Sequence, residues 1–359
     1  MTVSHAFTAM TGLVIILMFS AGCSKKPDAP VIVEPGAKAA PSELKSALTK
    51  VEATGTVKFE IKIDDPTARL VIDGNEYLIK ELAEPMSLPI GEHTATLKLS
   101  GKELKPLRFS VTEGKRQVIE LAEPNRAAAE WAFRSGAQKV YIYADGQERQ
   151  VKNVAELPPS PFKVVWIGIV DKPVSDADME YIEGLDSLHS LQLLRVPVTD
   201  VGLAHLRGLP VLNHLILDNL KITDAGLLHL KELPKLDFLD LSGTKITDNG
   251  LANLKGMNLG GLRLDRTGVT DAGLAHLSGM DLGLLNLWDT KITDAGLDHL
   301  KGMSRLRDLS LGKTKITDAG LAKLKALPAL GILGLENTDV TDAGVADFAV
   351  AHPNCKVNR

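Results

Sequence analysis

Residues 198–221 read VTDVGLAHLRGLPVLNHLILDNLK, and the same order returns over 222–245 as ITDAGLLHLKELPKLDFLDLSGTK. Further copies begin at Ile246, Val269, Ile292 and Ile316, a fading copy begins at Val340, and a degenerate one fills 174–197. Copies are 24 residues long except those starting at Ile246 and Val269, which have 23. A fixed period of this size marks a chain in which one supersecondary unit stacks on the next, because no single unit can bury its own apolar face.

Two apolar periods alternate within each copy. Leu236, Leu239 and Leu241 follow LxxLxL, which turns apolar side chains to one side of a short strand. Leu227, Leu230 and Leu233 are spaced by three and suit one face of a short helix. At the corner, Thr223 supplies a hydroxyl that can cap free amides, and Asp224 a carboxylate favoured by the helix dipole, with Gly226 following. The unit is strand, turn, helix, turn. This pattern, LxxLxLxxTxITDAGLxxLxxL, resembles the leucine-rich repeat family over about half the chain. The resemblance implies an α/β fold, a right-handed solenoid or horseshoe, and is far more specific for fold than for function.

Composition sets limits. With 359 residues and 44% hydrophobic content the chain can fill more than one core. Aromatics are only 4%, as expected where Leu and Ile ladders fill the interior. A net charge of −4, with both signs interspersed, excludes the basic face a nucleic-acid binder needs.

Cys23 closes the apolar run LVIILMFSAGC. That run is shorter than the ~20 residues of a membrane-spanning helix and has the size of a signal-peptide core. Ser20-Ala21-Gly22-Cys23 resembles a bacterial lipobox, which implies cleavage before Cys23, lipidation of Cys23 and a membrane anchor. Residues 23–54 are rich in Lys, Pro and Ala and read as a tether. Cys355, near the C-terminus, reads as a small apolar residue closing the end of the solenoid.

Over 55–123 the pattern changes. Val57, Phe59, Ile61 and Ile63 alternate with polar residues, as do Ala95, Leu97 and Leu99, then Leu107, Phe109 and Val111. Turns are expected at Asp73-Gly74, Gly91-Glu92, Ser100-Gly101 and Glu113-Gly114, giving a small antiparallel β-sandwich. ARLVIDG (68–74) followed by LPIGEH (88–93) resembles the PEGA family of bacterial envelope β-domains, which implies an extracytoplasmic accessory module. Residues 125–136 form a helix signal with Asn125 at its start, followed by a hairpin turning at Asp145-Gly146. The stretch 124–161 reads as an N-terminal cap in which Trp131 packs on the first repeat, and 162–359 as the repeat domain.

Three columns invite chemistry, and structure explains each more simply. His205, His229, His276 and His299 share one repeat position, which is expected to face solvent, with no second ligand type for a metal. The Asp column from Asp200 to Asp342 suits helix caps rather than calcium. Thr244, Thr267, Thr290, Thr314 and Thr338 can satisfy turn carbonyls.

The strand residues between the leucines point outward, and their identities vary freely. One outward column is His214, Phe238, Gly261, Leu284, Asp308 and Ile332; the next is Ile216, Asp240, Arg263, Asn286, Ser310 and Gly334, with Asp265 and Trp288 just beyond. Phe238 and Trp288 amid Asp, Arg and Asn suit a protein-binding concave face about 40 Å long. No nucleophile, metal or phosphate-binding motif stands out, so neither an enzyme nor a cofactor is expected. The reading is an extracytoplasmic, lipid-anchored, monomeric cell-envelope protein that binds a protein partner through His214, Phe238, Asp240, Arg263, Asp265, Asn286, Trp288 and Asp308. The alternative is an envelope scaffold or glycan-binding module that uses the β-sandwich, with the repeats as spacer.

Overall fold

The structure is a computed structural model that describes residues 6–8, 14–16, 31–33, 54–62, 67–99, 102–103, 106–122, 124–159 and 161–359. Cys23 and most of residues 1–54 lie outside the described residues, so the expected cleavage and lipidation site has no structural account. Three short strands, β1 (Ala6–Thr8), β2 (Val14–Ile16) and β3 (Val31–Val33), pair antiparallel. Among the described residues no helix is long and apolar enough to cross a membrane. The chain divides into two compact units, one of Met1–Ile61 with Asp65–Leu121 and the other of Lys62–Asp64 with Ala122–Arg359.

The first unit holds β4 (Thr54–Lys62), β5 (Arg69–Ile72), β6 (Asn75–Leu78), β7 (Met86–Pro89), β8 (Gly91–Leu99), β9 (Lys102–Glu103), β10 (Leu107–Val111) and β11 (Arg116–Ala122). Two sheets form, one ordered β10-β8-β5-β6 with β9 paired to β8, the other β11-β4-β7. Alternation decides which side chains are buried: Val57, Phe59, Leu70, Ile72, Ala95, Leu97, Phe109 and Val111 are enclosed. Phe59 of one sheet meets Phe109 of the other edge-on at 5.8 Å. The turn expected at Gly91-Glu92 is instead the start of β8; Gly91 takes φ 138°, a conformation open to glycine, and the bend falls at Ile90.

His93 of β8 is buried against Phe109, and both of its ring nitrogens face acceptors. Nδ1 lies 2.5 Å from Asp73 Oδ2 and Nε2 lies 2.8 Å from the Pro89 carbonyl. Two acceptors facing the two nitrogens favour the doubly protonated imidazolium form of the ring. The Asp73 hydrogen bond raises the His93 pKa against the opposing pull of burial. For Asp73, burial acts to raise the pKa, and the bonds from His93 and the Thr94 amide together outweigh it and hold the carboxyl low.

The second unit opens with helix α1 (Pro124–Arg134) and the hairpin β12 (Val140–Ala144) and β13 (Gln147–Val151). Then come β14 (Lys163–Val170), β15 (Ser190–Leu194), β16 (His214–Ile216), β17 (Phe238–Asp240), β18 (Gly261–Arg263), β19 (Leu284–Asn286), β20 (Asp308–Ser310), β21 (Ile332–Gly334) and β22 (Lys356–Asn358). One eleven-stranded sheet runs in chain order except that the hairpin is reversed, β13-β12-β14. From β14 onward every pairing is parallel. This is a parallel solenoid of stacked repeats, each crossing from strand to short helical segment and back.

The leucine spine is fully dry. Leu215, Leu217, Leu239, Leu241, Leu262, Leu264, Leu285, Leu287, Leu309 and Leu311 are all 0% exposed and face Leu203, Leu227, Leu251, Leu274, Leu297 and Leu321 of the helical side in one continuous core. Burial of each contributes about 1.5–3 kcal/mol. The first end of the core is closed by α1, where Trp131 stacks on Tyr181 of the first repeat at 5.8 Å. Asn125 stands at the start of this helix, as expected, and its Oδ1 accepts the Val164 amide at 2.8 Å, which anchors β14. At the far end Phe348 is fully buried in the last helix, α2 (Asp342–Ala351), and Cys355 packs partly buried against the core, where burial pushes its thiol pKa up.

The TDxG corner has a role that no single repeat reveals. Each Asp reaches forward to the next repeat and grips its Thr twice. The Thr223 amide donates to Asp200 Oδ1 at 2.7 Å and the Thr223 hydroxyl to Oδ2 at 2.6 Å. The same pair of bonds joins Asp224 to Thr247, Asp248 to Thr270, Asp271 to Thr293, Asp294 to Thr317 and Asp318 to Thr341. The rail begins one repeat before the recognisable column, at Asp176, which holds Thr199 and the Gly202 amide. In most repeats the Thr hydroxyl also accepts an amide of its own helix start, as Thr223 does from Ala225 at 3.3 Å.

The glycine of the corner makes room for this carboxylate. A Cβ on Gly226 would stand 2.5 Å from Asp200 Oδ1, and one on Gly202 would stand 2.6 Å from Asp176 Oδ1. Gly250, Gly273, Gly296, Gly320 and Gly344 each meet the preceding repeat's Asp in the same way. The Asp column therefore links repeats, which corrects the expectation that each Asp serves its own helix.

The second Thr column behaves as expected. Thr244, Thr267 and Thr290 each donate to the carbonyl three residues back at 2.6 Å, inside the turn. The His column does not face solvent freely: His205 bonds Glu183, and His229 keeps its Nδ1 enclosed. Glu183 belongs to the preceding repeat, so the spacing within one repeat does not reveal this contact.

Candidate functional site: the outer strand face

With leucines holding one side of each strand, the alternate residues stand on the other. Register aligns them in rows. Trp166, Ser190, His214, Phe238, Gly261, Leu284, Asp308 and Ile332 are successive Cα partners, and so are Gly168, Gln192, Ile216, Asp240, Arg263, Asn286, Ser310 and Gly334. Beyond the strands the ladder continues, since the Leu217 amide donates to Asp240 O and the Asn219 amide to Ser242 O. There each repeat places one residue at positive φ: Arg195, Asn219, Gly243, Arg266, Asp289, Lys313 and Asn337. Non-glycine residues carry some strain in that conformation, and three of these positions hold Arg or Lys. Their side chains form the rim of the face.

Two clusters stand out among the expected site residues. In the first, the His214 and Phe238 rings lie 4.4 Å apart, and the Arg263 guanidinium stands 5.5 Å from the Phe238 centroid. Burial, with help from the nearby Arg263 charge, pushes the His214 pKa below the ordinary imidazole value, so it stacks as a neutral ring. Phe238 leans over Gly261 of the next strand, where a Cβ would stand 2.7 Å from its Cδ2. In the second cluster, Lys313 Nζ sits 4.0 Å above the Trp288 centroid, and a Cβ on Gly312 would stand 2.8 Å from Trp288 Nε1.

The polar members divide differently from the expectation. Asp240 is buried, with 6% of its side chain exposed. It accepts the Ser242 amide at 3.0 Å and the Ser242 hydroxyl, and it lies 3.5 Å from Arg263 Nη1. Its strand ends at that residue, and the turn folds Ser242 back onto the carboxylate. Asp265 Oδ1 lies 2.6 Å from the same Ser242 hydroxyl, whose single proton the two carboxylates share, and accepts from Asn286 Nδ2 at 3.0 Å, while Oδ2 lies 3.1 Å from Arg266. Asn286 Oδ1 in turn accepts the Trp288 amide at 3.0 Å. Asp240, Asp265 and Asn286 thus brace the face from within; Arg263 is exposed, and His214, Phe238, Trp288 and Asp308 are half-buried on its surface.

The face also begins earlier than expected. Trp166 of β14 and Tyr141 of β12 are edge-on at 5.4 Å, with Lys139 Nζ 5.4 Å and 5.3 Å from their centroids. They extend the row of rings that includes Phe238. The sequence carried one signal for this, a glycine two residues after Trp166 in the middle of a strand.

No family model matches the chain. Over 75 residues, 20% of its length, it is 33% identical to the mitochondrial ATP synthase subunit s of Homo sapiens and of Pongo abelii. The chain spans about a third, 36%, of the length of these curated relatives. Among solved structures it is similar to internalin C2 from Listeria monocytogenes, at 24% identity and a TM-score of 0.43, over 62% of this chain and 88% of that one. It is also similar to a plant ice-binding protein, at 17% identity and a TM-score of 0.33, over 50% and 58% of the two chains. The plant peptide hormone receptor RGFR1, in complex with RGF2, is similar at 16% identity and a TM-score of 0.35, over 53% and 31%.

Proposed function

We propose that the outer strand face binds another protein, with Phe238 and Trp288 as its aromatic anchors. The observation that carries this reading is the pair of ring clusters two strands apart, each resting on glycine and each flanked by a cation. Rigid half-buried rings with charged surroundings are what interface centres favour, because they bury large area at low entropic cost. Asp240, Asp265 and Asn286 serve this face by holding Arg263, Arg266 and the turn of Trp288 in place. The test is affinity capture from envelope extracts with residues 24–359 as bait. Capture of a protein that the Phe238→Ala, Trp288→Ala double variant no longer retains supports the proposal, and capture unchanged in that variant contradicts it.

On the same reading the protein is an extracytoplasmic lipoprotein of the cell envelope. Cys23 carries the lipid, residues 24–54 hold the folded part off the membrane, and the first unit is a PEGA-like β-sandwich serving as an accessory module. The meeting of Phe59 and Phe109 from its two sheets supports the sandwich. Mass spectrometry of the mature N-terminus tests the anchor: an acylated Cys23 at the first position is expected, and an unmodified Cys23 contradicts it.

A further inference from the structure

The rings at the start of the face enclose a depression of about 380 Å³, open to solvent and lined by Lys139, Tyr141, Glu148, Trp166 and Gln192. Its floor is unusual for a strand. The Trp166 indole lies down over Gly168, where a Cβ would stand 2.7 Å from Cζ2, so only glycine lets the ring rest flat on the sheet. Glycine in a strand interior costs stability, and here it fits a ring held flat against the backbone. Tyr141 stands at 84° to this floor and forms a wall, its hydroxyl fixed by donation to Gln150 at 3.1 Å.

Around the two rings stand an amine, a carboxylate and an amide. The Glu148 carboxylate and the Gln192 amide make no hydrogen bond to other described residues, so their polar atoms are available to a ligand. The Phe238 and Trp288 clusters each set one ring beside a cation. This depression differs from them in edging an open two-ring floor with separate donors and acceptors, of which Glu148 and Gln192 have no partner of their own. A pyranose ring matches it, because its C–H face stacks on a flat aromatic and its equatorial hydroxyls reach outward to polar side chains.

We propose that this corner is a saccharide-binding subsite for a neutral pyranose unit, stacked on Trp166 against Tyr141 and hydrogen-bonded by Glu148, Gln192 and Lys139. The site is separate from the Phe238 and Trp288 clusters and stands whether or not those bind protein.

The test titrates the full chain with cellobiose, chitobiose and maltose up to about 10 mM, the weak end of specific recognition, and with a proline decapeptide. Calorimetry gives affinity, and the indole N–H resonances report the place. At least one disaccharide is expected to bind and to move the Trp166 resonance while the enclosed Trp131 resonance stays. Trp166→Ala should weaken that binding about tenfold or more, since stacking and burial are lost together. Glu148→Gln and Gln192→Ala, surface changes that spare the fold, should each weaken it about threefold, and Trp288→Ala should leave it unchanged. The proposal is overturned if no disaccharide binds, if binding survives in Trp166→Ala, or if the decapeptide binds in their place.

Discussion

The corner and the outer face of each repeat are built from the same strand-to-helix unit, yet one is nearly invariant along the chain and the other changes at every step. At the corner, each Asp must meet a Thr and a Gly of the next repeat, so three residue types recur together. On the outer face the contacts between neighbouring strands differ at each step, ring on ring at His214 and Phe238 and ring on glycine at Phe238 and Gly261, and the row of His214, Phe238, Gly261, Leu284 and Asp308 has no common chemistry. Repetition in sequence thus follows a contact that recurs between all neighbours, and variation follows contacts that do not. Asp240 and Asp265 are the instructive exceptions: they stand in variable rows but are tied to Ser242, so variability alone does not make a residue available.

Substitutions can sharpen this contrast. The largest loss is expected on the spine: Leu285→Ala, at a site with 0% exposure, should lower unfolding stability by about 3–5 kcal/mol in chemical denaturation. At the corner, Asp271→Ala leaves the Thr293 amide and hydroxyl without their acceptor and should cost about 2 kcal/mol. On the outer face, Phe238→Ala with Trp288→Ala should change stability by about 1 kcal/mol or less while abolishing partner capture. A fall in stability as large as that of Asp271→Ala would mean that the rings hold the fold rather than a partner.

The smallest effect belongs to the first unit and depends on pH. The His93 pKa is raised by its bond to Asp73, so its stabilisation is fully present below the unfolded value of about 6.5 and is lost as pH rises through the folded value. Asp73, held low, contributes above its ordinary 3.8, and that contribution is lost as pH falls through the folded value. The pair should therefore support the unit most between about pH 4 and 6.5. Proton NMR of the imidazole should show titration above the ordinary histidine value, and Asp73→Asn should bring it down; an unchanged midpoint in the variant would remove the pair from the account.

Much of this was legible in the sequence, for reasons tied to range. The leucine spacing, the strand and helix of each repeat, the alternation of the β-unit and the order of the outward rows all rest on neighbours within one repeat or on a constant period. The Asp rail was not legible from a single corner, because each carboxylate finds its partners 22 or 23 residues ahead, in a copy that looks like its own. Burial of Asp240 depends on how the turn after β17 folds Ser242 back, and a strand pattern carries no information about that. Nothing local to Trp166 fixes where its ring goes, and the structure shows it lying on Gly168 beside Tyr141.

A double-mutant cycle at Asp271 and Gly296 tests the coupling between repeats most directly, because a Cβ on Gly296 would collide with the Asp271 carboxylate. Gly296→Ala alone should cost about 2 kcal/mol through that collision. In the Asp271→Ala background the methyl has room, and the same change should cost less than about 0.5 kcal/mol or stabilise the helical turn. Equal costs in the two backgrounds would contradict the account, since they would show that the glycine is there for its own backbone and not for the neighbour's carboxylate.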